Sequence, residues 1–211
     1  MPRPFSPAER AQIAQRLRDA GRQAFATHSL RHVTVDDLAR AAGISKGAFY
    51  QFFDSKEALL LDLLQRFEAD FQRTVLDDVL RSELGPVESL RALLRTAVAV
   101  RGTEPLLRNL TEMDAESLLR RIPPDQAAAL RDADVASARR FIEYWREHAA
   151  PIGIDAEVLT GLMRAVVLTT FRQREIGPAV YQHVMQLMID SVSQQLMPTH
   201  TQLPRRRAHV D

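Results

Sequence analysis

The chain has 211 residues, 28 Lys and Arg against 27 Asp and Glu, and no cysteine. The missing thiols exclude disulfides, cysteine nucleophiles and cysteine-ligated metals, and they agree with a reducing cytoplasm. Every apolar stretch is broken by charge short of the ~18 residues a membrane span needs, so a soluble, cytoplasmic protein is expected. The net charge of +1 hides an asymmetry: residues 1–56 carry nine basic and five acidic side chains, and the remainder is net acidic. A basic first quarter suggests an end that faces a polyanion and a body with another task.

In chain order the apolar residues recur at helical spacing, and no period-two run marks a strand, so the fold class is all-α with about nine helices. The first runs from about Ala8 to Thr27, with Ile13, Leu17, Ala20, Ala24 and Phe25 on one stripe. Thr34 with Asp37 predicts a capping box and a short helix to about Ala41, and Ser45 caps another to about Phe52. Asp54 with Glu57 predicts a further box, opening a long helix to about Leu80. Helices follow over about 87–100, 104–120, 124–148, 155–175 and 178–196, separated by Gly- and Pro-containing breaks. The segment from Pro198, including Arg205, Arg206 and Arg207, has no apolar period and reads as a disordered tail.

Residues 33–60 therefore read as two short capped helices joined by a turn containing Gly43, with a third helix after them: a helix-turn-helix. Val35, Leu38, Ala39, Ile44, Ala48 and Phe49 can lock the two helices together, and Gly43 permits the left-handed backbone of a tight turn. The second helix can then project its exposed face into a major groove about 12 Å wide.

This stretch closely resembles the DNA-binding domain of TetR-family regulators through Thr34, Leu38, Ala39, Ala42, Gly43, Ile44, Ser45, Gly47, Phe49, Tyr50, Phe53, Lys56, Glu57 and Leu59. The resemblance is specific over about residues 8–60. It implies that Thr34, Ser45, Tyr50 and Lys56 position phosphates, and that Lys46, Gly47 and Gln51 face the groove. Gln51 has the chemistry to pair with adenine, and Lys46 to reach guanine. Phe52 can touch a thymine methyl or pack inward, with packing favoured. Arg3 has two readings, a minor-groove arm or a solvated end, and the second is favoured.

The resemblance further implies a DNA-binding domain over residues 1–56, a ligand-binding and dimerisation domain over 57–197, and a tail over 198–211. The partners implied are a double-stranded DNA operator, a small-molecule effector and a second copy of the chain, with no membrane. The last two helices carry broad apolar faces and would form a four-helix bundle across a two-fold axis, making the operator a near-palindrome. Leu94, Val98, Leu110, Met113, Phe141, Tyr144, Trp145 and Met163 offer walls for an effector that is mainly apolar or aromatic, with Arg95, Asn109, Glu112 and His148 as polar anchors. Thr103 to Leu110 would couple that pocket to the long connector helix. A helical enzyme is disfavoured: there is no Gly-rich phosphate loop, nucleophile elbow or His-Glu-x-x-His, and no cofactor is expected. His28 and His32 straddle a predicted break, which argues against a shared metal. A DNA-binding dimer without a ligand switch is the nearer alternative.

Overall fold

The computed structural model describes residues 5–148, 150 and 152–196, and among these every regular element is helical. Arg3 and the tail from 198, with its three arginines, lie outside the described residues. Helix α1 spans Pro7–Thr27 and begins with a full capping box: the Glu9 N–H donates to Ser6 Oγ, and Ser6 N–H donates to Glu9 Oε2 at 2.7 Å. A 3-10 turn over Leu30–His32 leads to α2 (Val35–Ala41), α3 (Lys46–Phe49) and the 25-residue α4 (Lys56–Leu80). The body follows as α5 (Pro86–Thr103), α6 (Pro105–Arg108), α7 (Glu112–Arg121), α8 (Pro124–Glu147), α9 (Ala156–Thr169), a 3-10 turn, α10 (Gln173–Ile176) and α11 (Pro178–Gln194).

All nine expected helices are present, and two are split. The one expected over 104–120 ends at Arg108 and restarts at Glu112, because Thr111 forms a capping box with Asp114. The one expected over 155–175 tightens into a 3-10 turn at Thr170–Arg172, leaving α10 as a single turn. The caps differ in detail as well. Thr34 accepts from the Asp37 N–H, but the Asp37 carboxylate takes the Thr34 hydroxyl instead of closing a box on the backbone. Ser55, not Asp54, caps α4, accepting from the Ala58 N–H at 3.1 Å.

Two apolar cores organise the molecule. The first joins Ile13, Leu17 and Phe25 of α1 to Leu38, Ala39, Phe49 and the first turns of α4 (Leu59, Leu60, Leu63), and takes in Leu106 of α6, Leu110 of the loop after it and Leu118 of α7. Gly21 lets α1 approach α4: a Cβ there would sit 3.0 Å from Leu59 Cδ2 and 3.1 Å from Leu63 Cδ1. The second core collects Leu76, Val79 and Leu80 from the far end of α4 with Leu90 and Leu94 of α5, Phe141 and Trp145 of α8, Leu159 of α9 and Tyr181 and Met185 of α11. Each fully buried leucine contributes about 1.5–3 kcal/mol. Helix α4 is thus anchored at both ends, and between them, over residues 64–75, it buries no side chain.

Candidate functional site

The turn between α2 and α3 is fixed by the backbone. Gly43 has φ +69°, its N–H donates to Arg40 O (3.1 Å), and the Ile44 N–H donates to Ala39 O (3.0 Å). Few residues other than glycine adopt that conformation without strain. Ser45 then caps α3 by accepting from the Ala48 N–H (3.2 Å), and Phe49, fully buried, anchors the helix from behind. What remains outward is Thr34, Ser45, Lys46, Gly47, Tyr50 and Gln51, all exposed. A Cβ on Gly47 would meet nothing within 4 Å, so no packing in the chain requires a glycine there.

Two lysines expected at DNA have internal partners. Lys46 Nζ donates to Asp36 Oδ2 at 2.8 Å, tying α3 to α2, and this bond raises its pKa. Lys46 remains exposed and free to swing toward a ligand. Lys56 is turned inward: its ammonium donates to Leu30 O (2.8 Å) and Val33 O (2.7 Å), carbonyls left open around the 3-10 turn. Two of its three N–H donors are therefore spent on the protein, which leaves one for a phosphate oxygen. Phe52 is half-buried, as expected, but its neighbours were not anticipated: Phe5 lies 5.9 Å away between ring centroids, and the Arg10 guanidinium sits 5.0 Å from its centroid. His28 and His32 hydrogen-bond separately, to Thr27 and Ser29.

Six of the eight residues expected to line a pocket come together around the second core, and two lie elsewhere. Leu94, Phe141 and Trp145 are closed into the second core, and Val98, Tyr144 and Met163 pack half-buried against it. Phe141–Trp145 and Tyr144–Trp145 form edge-to-face pairs at 6.5 and 5.2 Å, filling space instead of walling it. Leu110 belongs to the first core, and Met113 is 80% exposed; the extra helix break at 109–111 carries both away from α8. Among the expected anchors, Arg95 is exposed, His148 caps Tyr144 O through Nδ1 (2.7 Å), and the Glu112 side chain lies outside the described part.

Asn109 instead joins body to head. Its Nδ2 donates to Ala26 O (2.6 Å) and Phe25 O (3.3 Å) at the end of α1. Arg101 holds the same loop, donating to Leu107 O and to Leu110 O (2.6 Å) while its guanidinium lies 4.5 Å from the centre of Phe171. Burial pulls Arg101 below the ordinary guanidinium value.

The middle of the body is less closed than its ends. Described side chains are unburied over 64–75 of α4, from Arg95 on in α5 and before Ala138 in α8. A polar bridge crosses this zone: Gln72 Nε2 donates to Asp134 Oδ1 (2.8 Å), Ser137 donates to Gln72 Oε1 (2.9 Å), and Arg164 pairs with Asp134. Glu68, one turn before Gln72, is open to solvent yet crowded enough by protein that burial, aided by the Asp134 charge, pushes its carboxyl up. Elsewhere, an open cleft of about 550 Å³ lies between α4 and α8 beside Asp77, Arg140 and Glu143. A second groove of about 360 Å³ runs between α9 and α11, lined by Leu162, Val166, Val184, Leu187, Met188 and Val192. Val158, Leu168, Val180 and Leu187 on these helices are each at least half exposed.

A rigid helical turn that presents a bare, short helix on a basic head is the architecture of a helix-turn-helix DNA-binding protein. Residues 17–63 match the family model for bacterial regulatory proteins of the tetR family. The chain is 30% identical over 169 residues to the transcriptional regulator AlkX of Mycobacterium tuberculosis, covering 78% of this chain and 75% of AlkX. It is 35% identical over 82 residues to the repressor DhaR of a Mycobacterium species, spanning 39% of this chain and 41% of DhaR. Among solved structures, Thermus thermophilus FadR, a TetR-family repressor in complex with lauroyl-CoA, superposes with a TM-score of 0.65 over 90% of this chain and 98% of its own, at 21% identity. The chain belongs to the TetR family of helix-turn-helix transcriptional regulators. No helix among the described residues is long and apolar enough to cross a membrane.

Proposed function

We propose that this regulator is a repressor that grips a palindromic operator as a homodimer and leaves it when a small, mainly apolar or aromatic effector enters the body. The observation that carries the DNA-binding half is the outward face of α3, where Lys46, Gly47, Tyr50 and Gln51 are exposed on a helix anchored from behind by Phe49. Gln51 and Lys46 read base edges, and Thr34, Ser45 and Tyr50 meet phosphates. The head takes in residues 1–56 and the body 57–197, with α4 belonging to both cores.

The apolar groove between α9 and α11 supports pairing with a second copy, because a stripe of half-exposed Val and Leu is costly to leave in water. We place the effector in the middle of the body, where α4 buries no side chain, near Phe67 and Phe71 of α4, Val98 of α5, Val135 of α8 and Met163 of α9, with Glu68 and Arg164 at its polar edge. Occupancy there would push on α4 between its two anchors and change the spacing of the heads. A coupling of about 1–3 kcal/mol would change operator affinity ~5- to 150-fold. The ligand named with Thermus thermophilus FadR, an acyl thioester with a long apolar chain, is of the kind such a space suits.

Selection from random duplexes followed by anisotropy titration tests this reading. The expected result is a palindrome bound by one dimer, with half-sites about 34–36 Å apart or a multiple of that. A motif without two-fold symmetry would overturn the dimer. An operator complex that persists when acyl or phenolic compounds visibly occupy the body would make the protein a ligand-independent regulator, which the closed packing of Phe141, Tyr144 and Trp145 also allows.

A further inference from the structure

We propose that Arg10 of α1 is a positioning residue for base readout, fixing the backbone of Gln51 and thereby aiming the side chain that reads the operator. The inference rests on the reading of Gln51 as a base contact. Helix α3 ends at Phe49, and the chain continues through a tight turn in which the Gln51 N–H donates to Ala48 O (3.1 Å) and the Phe52 N–H to Phe49 O (2.9 Å). Bonds of this i to i+3 kind hold a final turn less firmly than α-helical bonds and leave its last carbonyls open. The Gln51 carbonyl is taken by an element 41 residues away: Arg10 NH2 donates to it at 2.9 Å. The same guanidinium lies over the ring of Phe52, the next residue, and that ring also packs against Phe5. Arg10 thus holds two consecutive residues of the reading turn, one by hydrogen bond and one by its contact with the aromatic ring.

The chemistry explains the choice of residue. A guanidinium is planar and forked, so it can donate in its plane while stacking through its face, which an ammonium does not do. Arg10 makes no ion pair among the described residues, so no carboxylate competes for it. A glutamine contact to adenine demands two hydrogen bonds at once, and such bidentate contacts lose their advantage when the backbone carrying them swings.

The test is a double-mutant cycle on the full-length protein, using the palindrome selected by the parent and duplexes with each half-site base pair replaced in turn. Arg10→Met keeps the stem and removes the fork; Gln51→Ala removes the reader. A good bidentate pair discriminates about 5- to 150-fold against a wrong base. Arg10→Met should flatten preference at the base pairs that Gln51→Ala flattens, by about threefold or more, and the double variant should be no worse than Gln51→Ala alone. The salt slope should stay that of the parent, and Arg10→Lys should restore preference only in part. If Arg10→Met instead weakens all duplexes equally and makes the slope shallower by about one unit, Arg10 is a phosphate contact and the inference fails. Additive effects in the double variant, or an unchanged motif in Arg10→Met, also overturn it. An unchanged motif in Gln51→Ala overturns the reader itself, separating that failure from this one. Melting curves identify any variant that has lost its fold, and Phe52→Leu, which removes the stacked ring and keeps the Gln51 bond, must then show the weaker form of the same flattening or the inference falls.

Discussion

In the first core, Leu17 and Phe49 of the head and Leu59 and Leu63 at the start of α4 are closed to solvent on helices that include one of only four residues, whereas α4 runs on through residues 64–75 without burying a side chain. The head is filled at its centre and functional on its outside. The body closes its core at its ends and leaves the side chains of its middle partly exposed. Under the proposed function the contrast would follow from two tasks: a reading surface must present a fixed set of donors to a groove, which calls for a tightly packed support. A part that admits a guest and moves in response draws on looser packing, and pays with stability.

The sharpest way to break this comparison is at the aromatic group of α8. Phe141 is 2% exposed and stacks edge-on with Trp145, so Phe141→Ala should remove about 3–5 kcal/mol of stability. Set against the roughly 5–15 kcal/mol that holds a typical domain, that loss should lower the melting temperature steeply and abolish dimer and operator binding together. A variant that melts with the parent and merely responds less to ligand would put Phe141 on the wall of the open space.

The next effect divides folding from assembly. Leu187 is 53% exposed in the single chain yet lies in the groove between α9 and α11, so Leu187→Glu should leave helicity nearly untouched. In a dimer the same carboxylate would be buried without a partner, at a cost of several kcal/mol. Sedimentation should show a monomer, and operator affinity should fall at least ~100-fold, equivalent to ~2.7 kcal/mol. A variant that sediments as a dimer would move the interface elsewhere.

Lys56 carries a smaller effect that sharpens the account of the head. Its ammonium satisfies Leu30 O and Val33 O, so Lys56→Met should cost about 1.5–3 kcal/mol of stability, the range for hydrogen bonds to charged groups. The salt dependence of DNA binding should then match the parent. A slope shallower by about one unit, with stability intact, would return Lys56 to the phosphate backbone.

The same division explains what the sequence made legible. Caps, the Gly43 turn and the short apolar stripe of α2 are local rules, and they placed the helix-turn-helix and its exposed face before any coordinate was known. The contacts of Arg10 and Lys56 span 41 and at least 23 residues, and no spacing rule reports such a reach. In the body the aromatic content of α8 was visible, but whether Phe141, Tyr144 and Trp145 wall a space or fill one depends on the register of α4, α5 and α9 against them. Met113 and Leu110 lie away from the expected wall for a local reason that the sequence shows: Thr111-x-x-Asp114 is a capping signal, and it restarts the helix at Glu112, four residues after Arg108.

The smallest effect concerns Gly47, and its value is that stability and function should move in opposite directions. Glycine inside a helix costs about 0.5–1 kcal/mol relative to alanine, and a Cβ at this position would touch nothing within 4 Å. Gly47→Ala should therefore raise the stability of the free protein by about that amount. The only reason left for a bare backbone on the outward face of α3 is an approach by something outside the chain. If that visitor is DNA, the methyl group should weaken operator binding while the melting temperature rises. It should do so more for the selected palindrome than for random duplexes, since close fit is demanded only where the helix sits deep in its groove. Gains in both stability and operator affinity would mean that Gly47 faces open solvent in the complex, and the reading face would then have to be turned toward Tyr50 and Gln51.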